Sequence, residues 1–374
     1  MEFLAQERQT LERYMPGLDC ALAKLPLLEL EKRGNPGLGL FREANGPALL
    51  ITKACRGMGA TALDAIQIQR AIGSRSPSLA VATTMHHFSV ATILEMSLLG
   101  NGMESLLLEA IAEQHLLVAS GFAEGRPNQG IMQPTMHGRP THGGILVTGS
   151  KKPCSLAHSM DLLTASVKIE NGTPEGQLGV ALIPTKGDGI ERRDFWGSWV
   201  LAGAESDEVI LHDVEVPDSL MFRMGESAAL DATQISGFLW FELLVTASYL
   251  GAASALVERV LCANRGSVLE RTMLGIDLEG GMAALEGIAR AMMVNPRNAD
   301  ELGRMLFVRY LVQSIIERTT QHAAELLGGM AFVASSEVSY LLSAARALAF
   351  HPPSKSAIAQ ELAAHLAGKT LQIA

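Results

Sequence analysis

The segment Glu208-Val209-Ile210-Leu211-His212-Asp213-Val214-Glu215-Val216-Pro217, with Trp196-Gly197-Ser198 a short way before it, decides how this chain is read. Its β-prone start at 208–211 is the last of several short runs, at 144–148, 162–168 and 178–183. Turn clusters such as Glu170-Asn171-Gly172 and Lys186-Gly187-Asp188-Gly189 stand between them. Gly, Asn and Asp accept the backbone geometry of tight turns, so short strands at this spacing predict a small antiparallel β-barrel or sandwich.

On either side the pattern changes. Residues 60–72 and 79–99 carry apolar side chains every three or four positions, with Gly and Pro between the segments. Beyond about 230, the stretches 238–261, 302–319, 320–327 and 338–349 read the same way, as helices with one buried face. The apolar run 48–51, inside an irregular stretch from 42 to 58, is a candidate to pack beside a cofactor. The chain thus divides into an N-terminal helical domain (1–119), a middle β-barrel domain (120–228) and a C-terminal helical bundle (229–374). This is a mainly α architecture with a β-domain in its middle.

Composition narrows the function. With 48% apolar and few aromatic residues, the core is built from Leu, Ala, Val, Ile and Met, which suits closely packed helices and subunit contacts. A net charge of −9 argues against nucleic acid as a ligand, since phosphate binding rests on clustered Lys and Arg. The pairs Lys151-Lys152 and Arg192-Arg193 are expected to be solvated surface. Cys20, Cys55, Cys154 and Cys262 show no metal-ligand spacing, so free thiols in the cytoplasm and no metal site are expected. Met1 leads into charged residues and not into a secretory apolar stretch. The apolar windows 79–99 and 238–261 are broken by His86, His87 and Glu95, or by Glu242 and Glu258, and read as buried helices and not membrane spans.

Four segments, in order, resemble signatures of the acyl-CoA dehydrogenase superfamily of flavoproteins, and they cover most of the chain. Gly149-Ser150-Lys151 followed by Ser155 and Met160-Asp161 is the first, and the segment ending at Pro217 is the second and most specific. Ala263-Asn264-Arg265 is the third and Glu325-Leu326-Leu327-Gly328-Gly329 the fourth. The resemblance implies the acyl-CoA dehydrogenase fold with its C-terminal four-helix bundle, and FAD as cofactor, with FMN or reduced flavin from a separate reductase as variants. It further implies that Ser155 hydrogen-bonds the flavin ring. Arg265 would neutralise a diphosphate, and backbone N–H groups at Gly328-Gly329 would approach it closely. Phe122-Ala123-Glu124-Gly125 is a remnant of the family's flavin-contacting loop. In the family the Arg and Gly-Gly segments reach a neighbour's cofactor, so a homodimer or homotetramer is expected. The chain departs from the pattern at Val268-Leu269, Glu325 and Ser343-Ala344.

The largest departure concerns the reaction. Family dehydrogenases remove the α-proton of an acyl thioester with a Glu near the C-terminus. Here that position is Pro352, in Phe350-His351-Pro352-Pro353-Ser354. At the alternative site on the long helix stands Phe241, and Glu242 is turned about 100° from it. A second branch, similar to dibenzothiophene monooxygenase, takes reduced flavin and activates oxygen, with a His beside a Pro, a Ser and a His on an early helix around the ring. His351, Ser155, and His86 or His87 match those positions, and imidazole moves protons near neutral pH. The leading reading is therefore a flavin-dependent oxidoreductase with monooxygenase chemistry on a small molecule. Dehydrogenation of a thioester carried by CoA or a carrier protein, with Glu242 as base, is the alternative, and a catalytically degenerate partner subunit is the third reading.

Overall fold

The computed structural model describes residues 2–98, 102–125, 133–173, 176–223 and 231–373. The N-terminal part carries α1 (Ala5–Tyr14), α2 (Leu18–Ala23), α3 (Leu27–Leu30), α4 (Gly37–Glu43), α5 (Ala62–Arg75), α6 (Pro77–Ser97) and α7 (Met103–Gln114). Local chemistry sets the main boundaries. Thr61 and Asp64 form a reciprocal capping box at the start of α5, and Ser76 caps α6 just before Pro77. The 48–51 run is enclosed among these helices and is not in the wall of the main cavity described below.

The sheet comprises β1 (Val118–Gly121), β2 (His137–Pro140), β3 (Gly144–Cys154), β4 (Leu162–Ile169), β5 (Gln177–Pro184), β6 (Ile190–Arg193), β7 (Asp207–Pro217) and β8 (Met221–Arg223). Its order is β6-β7-β3-β2-β4-β5-β8, with β1 also paired to β4. The antiparallel expectation holds except at β4, which β1 and β2 both join in parallel, at opposite ends of the same edge. Strand spacing alone could not show this, because both partners come from far upstream. The deciding segment is β7, paired along β3 from Gly144↔Pro217 to Cys154↔Asp207. Lys151, expected at the surface, is fully buried in β3. It makes an ion pair with Glu124 and donates to Ser166 Oγ at 2.9 Å, because a buried ammonium needs a counter-charge.

The C-terminal part contains α8 (Ala232–Cys262), α9 (Val268–Val294), α10 (Ala299–Leu327), α11 (Gly329–Ala334), α12 (Ser336–Arg346) and α13 (Lys355–Leu366). The segments read as 302–319 and 320–327 are one helix, α10. Helix α8 begins at a capping box of Asp231 and Gln234 and runs through the centre of the molecule. It is long and apolar enough to cross a membrane, but 94% of its most apolar window is covered by the rest of the fold. It crosses α5 at backbone contact: a Cβ at Gly73 would meet Ser248 O at 2.3 Å, and one at Gly251 would meet Arg70 O at 2.4 Å.

Two buried carboxylates hold the three parts together beside the cavity described next. Glu31 accepts hydrogen bonds from Ser76, Ser78 and the Tyr340 hydroxyl, and Tyr340 in turn accepts from Leu201 N at 2.9 Å. Asp207, at the start of β7, accepts from Arg33 and from the backbone N–H groups of Phe195 and Trp196 at 2.8 and 2.9 Å. Burial alone would raise the Asp207 pKa, but Arg33 and these N–H groups hold it far below the usual carboxylate range.

Candidate active site

A cavity of about 440 Å³ lies where α6, the sheet and α8 meet, within the usual range for a cofactor or substrate site. Each helix contributes one face. Val81, Met85, Phe88, Thr92 and Met96 recur on α6, and Gln234, Phe238, Phe241 and Tyr249 on α8, at the spacing that stacks side chains on one side of a helix. The sheet side adds Ser120, Phe122, Ala123, Thr164 and Ser166, and the turn after β3 adds Ser155. The turn after α12 closes the wall with Phe350, His351 and Pro352.

Ser155 Oγ is 2.9 Å from Ser206 Oγ, and its turn is pinned by Leu156 N and Ala157 N donating to Ala204 O and Glu205 O. His351 Nε2 is 2.8 Å from the Tyr249 hydroxyl, and the ring packs against Phe241 with centroids 6.0 Å apart. Phe241 in turn meets Phe88 edge-on at 5.4 Å. Desolvation first, and the nearby Arg309 charge second, lower the His351 pKa to about 4, so the imidazole is neutral near neutral pH. Burial raises the Tyr249 pKa, so its hydroxyl keeps its proton. Among the described residues the one hydrogen bond of the His351 ring is that of Nε2, and a phenol can both donate and accept. The pair can therefore hold Nδ1, on a residue that lines the cavity, as a lone pair or as an N–H.

The other sequence candidates lie elsewhere. His86 and His87 are on the far side of α6, fully buried and outside the cavity wall. His86 accepts from Val118 N at Nδ1 (3.0 Å) and donates from Nε2 to Pro47 O (2.9 Å), which leaves no ring nitrogen for a ligand. His87 packs edge-on against Phe41 and His86, and among the described residues neither of its nitrogens has a hydrogen-bond partner. Glu242 points into the bundle, where Arg309 Nε sits 2.7 Å from Oε2, out of line for a hydrogen bond. Burial drives its pKa up to about 7 even against Arg309. Arg265, Glu325, Gly328 and Gly329 gather at one end of the bundle, where the Gly266 turn packs on Leu326, and none lines the cavity. Tyr249 and Ser206 were not singled out by sequence, and Trp196 was read as part of the β-domain signature and not as a lining residue. A lone Tyr in the apolar run of α8 was the one available signal for the first.

The described wall fits a flavin ring. A planar heteroaromatic needs apolar faces and hydrogen-bonding groups at its rim, and this wall supplies Leu178, Val180 and Phe122 beside five serine hydroxyls. No Lys or Arg is among the described lining residues to meet a phosphate, so the fit concerns the ring and not the phosphate end.

No protein-family model matches the chain. Over the whole of both chains it is 44% identical to isobutylamine N-hydroxylase of Streptomyces viridifaciens. It belongs to the acyl-CoA dehydrogenase-like flavoprotein superfamily. The flavoprotein is also 28% identical to dibenzothiophene monooxygenase of Rhodococcus erythropolis, over 46% of its own length and 42% of that enzyme's. Its fold matches that of KijD3, solved with FMN and an amino-sugar nucleotide, at a TM-score of 0.85 and 16% identity, covering 97% of this chain and 94% of that one. The flavoprotein is a flavin-dependent oxidoreductase, and its relatives favour oxygenation over dehydrogenation.

Proposed function

We propose that the chain is a monooxygenase that transfers one oxygen atom of O2 to the nitrogen of a small aliphatic primary amine, using reduced flavin from a separate reductase. The observation that carries this reading is the cavity wall. Its described residues include no Asp, Glu, Lys or Arg, and its one imidazole is neutral. Removing the α-proton of a thioester takes a base at the reacting carbon, and Glu242 is turned away against Arg309. An amine must lose its positive charge before its nitrogen can act as a nucleophile. An apolar, uncharged cavity favours that free base, because desolvation penalises the cation. Full-length similarity to an isobutylamine N-hydroxylase supports the same substrate class.

The reaction balances as amine, O2 and reduced flavin giving hydroxylamine, water and oxidised flavin. When bound, reduced flavin supplies the two electrons that divide O2 between product and water. The nitrogen exchanges an N–H bond for an N–O bond, and His351 Nδ1, backed by Tyr249, takes up and returns the proton. Phe88, Phe238 and Phe241 keep bulk water from the reacting nitrogen.

The experiment supplies the purified protein with reduced flavin, O2 and isobutylamine and looks for a product one oxygen heavier. Anaerobic bleaching of its bound flavin by an acyl-CoA, with no amine oxidation, would overturn the reading. The same reading places the protein in the cytoplasm as a homodimer or homotetramer, with Arg265, Glu325 and Gly328-Gly329 meeting a second copy's cofactor. Light scattering on the purified protein tests the assembly.

A further inference from the structure

Behind His351, on the side away from the cavity, lies a buried pair that the reaction itself does not use. Arg309 on α10 and Glu242 on α8 are both fully enclosed. Besides meeting Glu242, the Arg309 guanidinium donates through Nη2 to Leu348 O at 3.1 Å and to His351 O at 2.8 Å. Its neighbour Tyr310 donates to Pro353 O at 2.7 Å. The turn that presents the imidazole therefore hangs by its carbonyls from α10. Its ring is gripped from the other side by Tyr249 and Phe241 of α8. Burying a guanidinium and a carboxylate costs more than an apolar pair of similar size would. An arrangement of this kind is explained by what it orients.

We propose that Arg309, with Glu242 as its buried counter-ion, is the positioning residue that sets the place and environment of the His351 imidazole. Two effects follow from the same atoms. The forked donor fixes the backbone of residue 351, and the fixed positive charge disfavours imidazolium at a short distance. Among the described residues, the charged or titratable groups around His351 are Tyr249 and Glu242 on α8 and Arg309 and Tyr310 on α10. Of these only Tyr249 lines the cavity, and the described lining adds no further charged or titratable group.

The test rests on the proposed amine oxidation for one readout and not for the other. Isotope-labelled histidine is titrated by NMR in the full chain, with His351 assigned by its loss in His351→Gln, and kcat and KM for isobutylamine are measured alongside. Arg309→Gln should raise the His351 midpoint by about one pH unit, a roughly tenfold shift in its proton equilibrium. It should also lower kcat about tenfold while KM stays within about threefold. Arg309→Lys keeps the charge but cannot span both carbonyls and Glu242, so it should hold the midpoint and recover only part of kcat. If a lone Glu242 prevents Arg309→Gln from folding, the double variant Arg309→Gln/Glu242→Gln removes both charges and carries the same expectation. An unchanged midpoint in the folded variant overturns the proposal, whatever turnover does. A shifted midpoint in a protein that oxidises no amine would overturn the proposed reaction and leave the role of Arg309 standing.

Discussion

Two imidazoles in this molecule, His86 on α6 and His351 in the turn after α12, are held neutral with pKa values lowered to about 4, and burial is the main cause for both. They differ in what their nitrogens meet. His86 spends both on backbone groups of distant segments, Pro47 O and Val118 N, and so joins the N-terminal helices to the sheet. His351, which lines the cavity, gives one to a phenol and leaves the other without a partner among the described residues. A perturbed pKa is thus common to a structural and a candidate catalytic histidine. The unspent nitrogen separates them.

The sharpest way to break that distinction is to remove each ring. His351→Ala should lower kcat for amine oxidation by about a hundredfold or more, with KM nearly unchanged, as expected when a proton-transfer group is lost. Steady-state turnover in the two variants decides it, because comparable losses would erase the distinction. His86→Ala should leave turnover per folded molecule intact but cost about 2–3 kcal/mol of stability, since two buried backbone groups lose their partner. Denaturant unfolding measures it.

The same variant carries a pH signature. The folded His86 pKa lies below its unfolded value near 6.5, so the unfolded chain binds the proton more tightly. Its stabilising contribution is present above pH 6.5 and is lost as pH falls to about 4, a change of about 3 kcal/mol. Glu242, raised to about 7, acts in the opposite sense: its contribution is complete below about 4.5 and fades as pH rises through 7. Unfolding curves from pH 4 to 7 should therefore lose one acid-side component in His86→Ala, while those of His351 and His87, lowered in the same direction, remain.

Smaller effects sharpen the His351 side. Tyr249→Phe removes one hydrogen bond and should reduce kcat about tenfold while the protein stays folded. Ser155→Ala should weaken flavin binding by about three- to tenfold, read by fluorescence titration, because one neutral hydrogen bond to the ring is lost. A loss in Ser155→Ala larger than in His351→Ala would move the weight of the site from the turn after α12 to the turn after β3.

The order helical, β, helical was legible because turn chemistry and apolar period change sharply near 120 and 230. Ser155, Phe122, Ala123 and His351 were named from sequence, and the fold brings all four to one cavity. What escaped depended on partners far along the chain. Lys151 read as surface because nothing local shows that Glu124 lies across from it. The environment of Glu242 is set by Arg309 on another helix, and the nitrogens of His86 by backbone atoms that no side-chain pattern records. The parallel placement of β1 and β2 on β4 was hidden for the same reason.

Helix α8 places Phe241 on the cavity and Glu242 in the bundle, one residue and about 100° apart. In evolutionary terms, a position on the cavity wall and a position that keeps the framework in order are neighbours in the gene, held apart only by the turn of one helix. Exchanging the first between an aromatic ring and a carboxylate changes the lining, while the second faces Arg309 on another helix. A change of reaction on one scaffold can then begin at its lining, one residue along the helix from the groups that hold it.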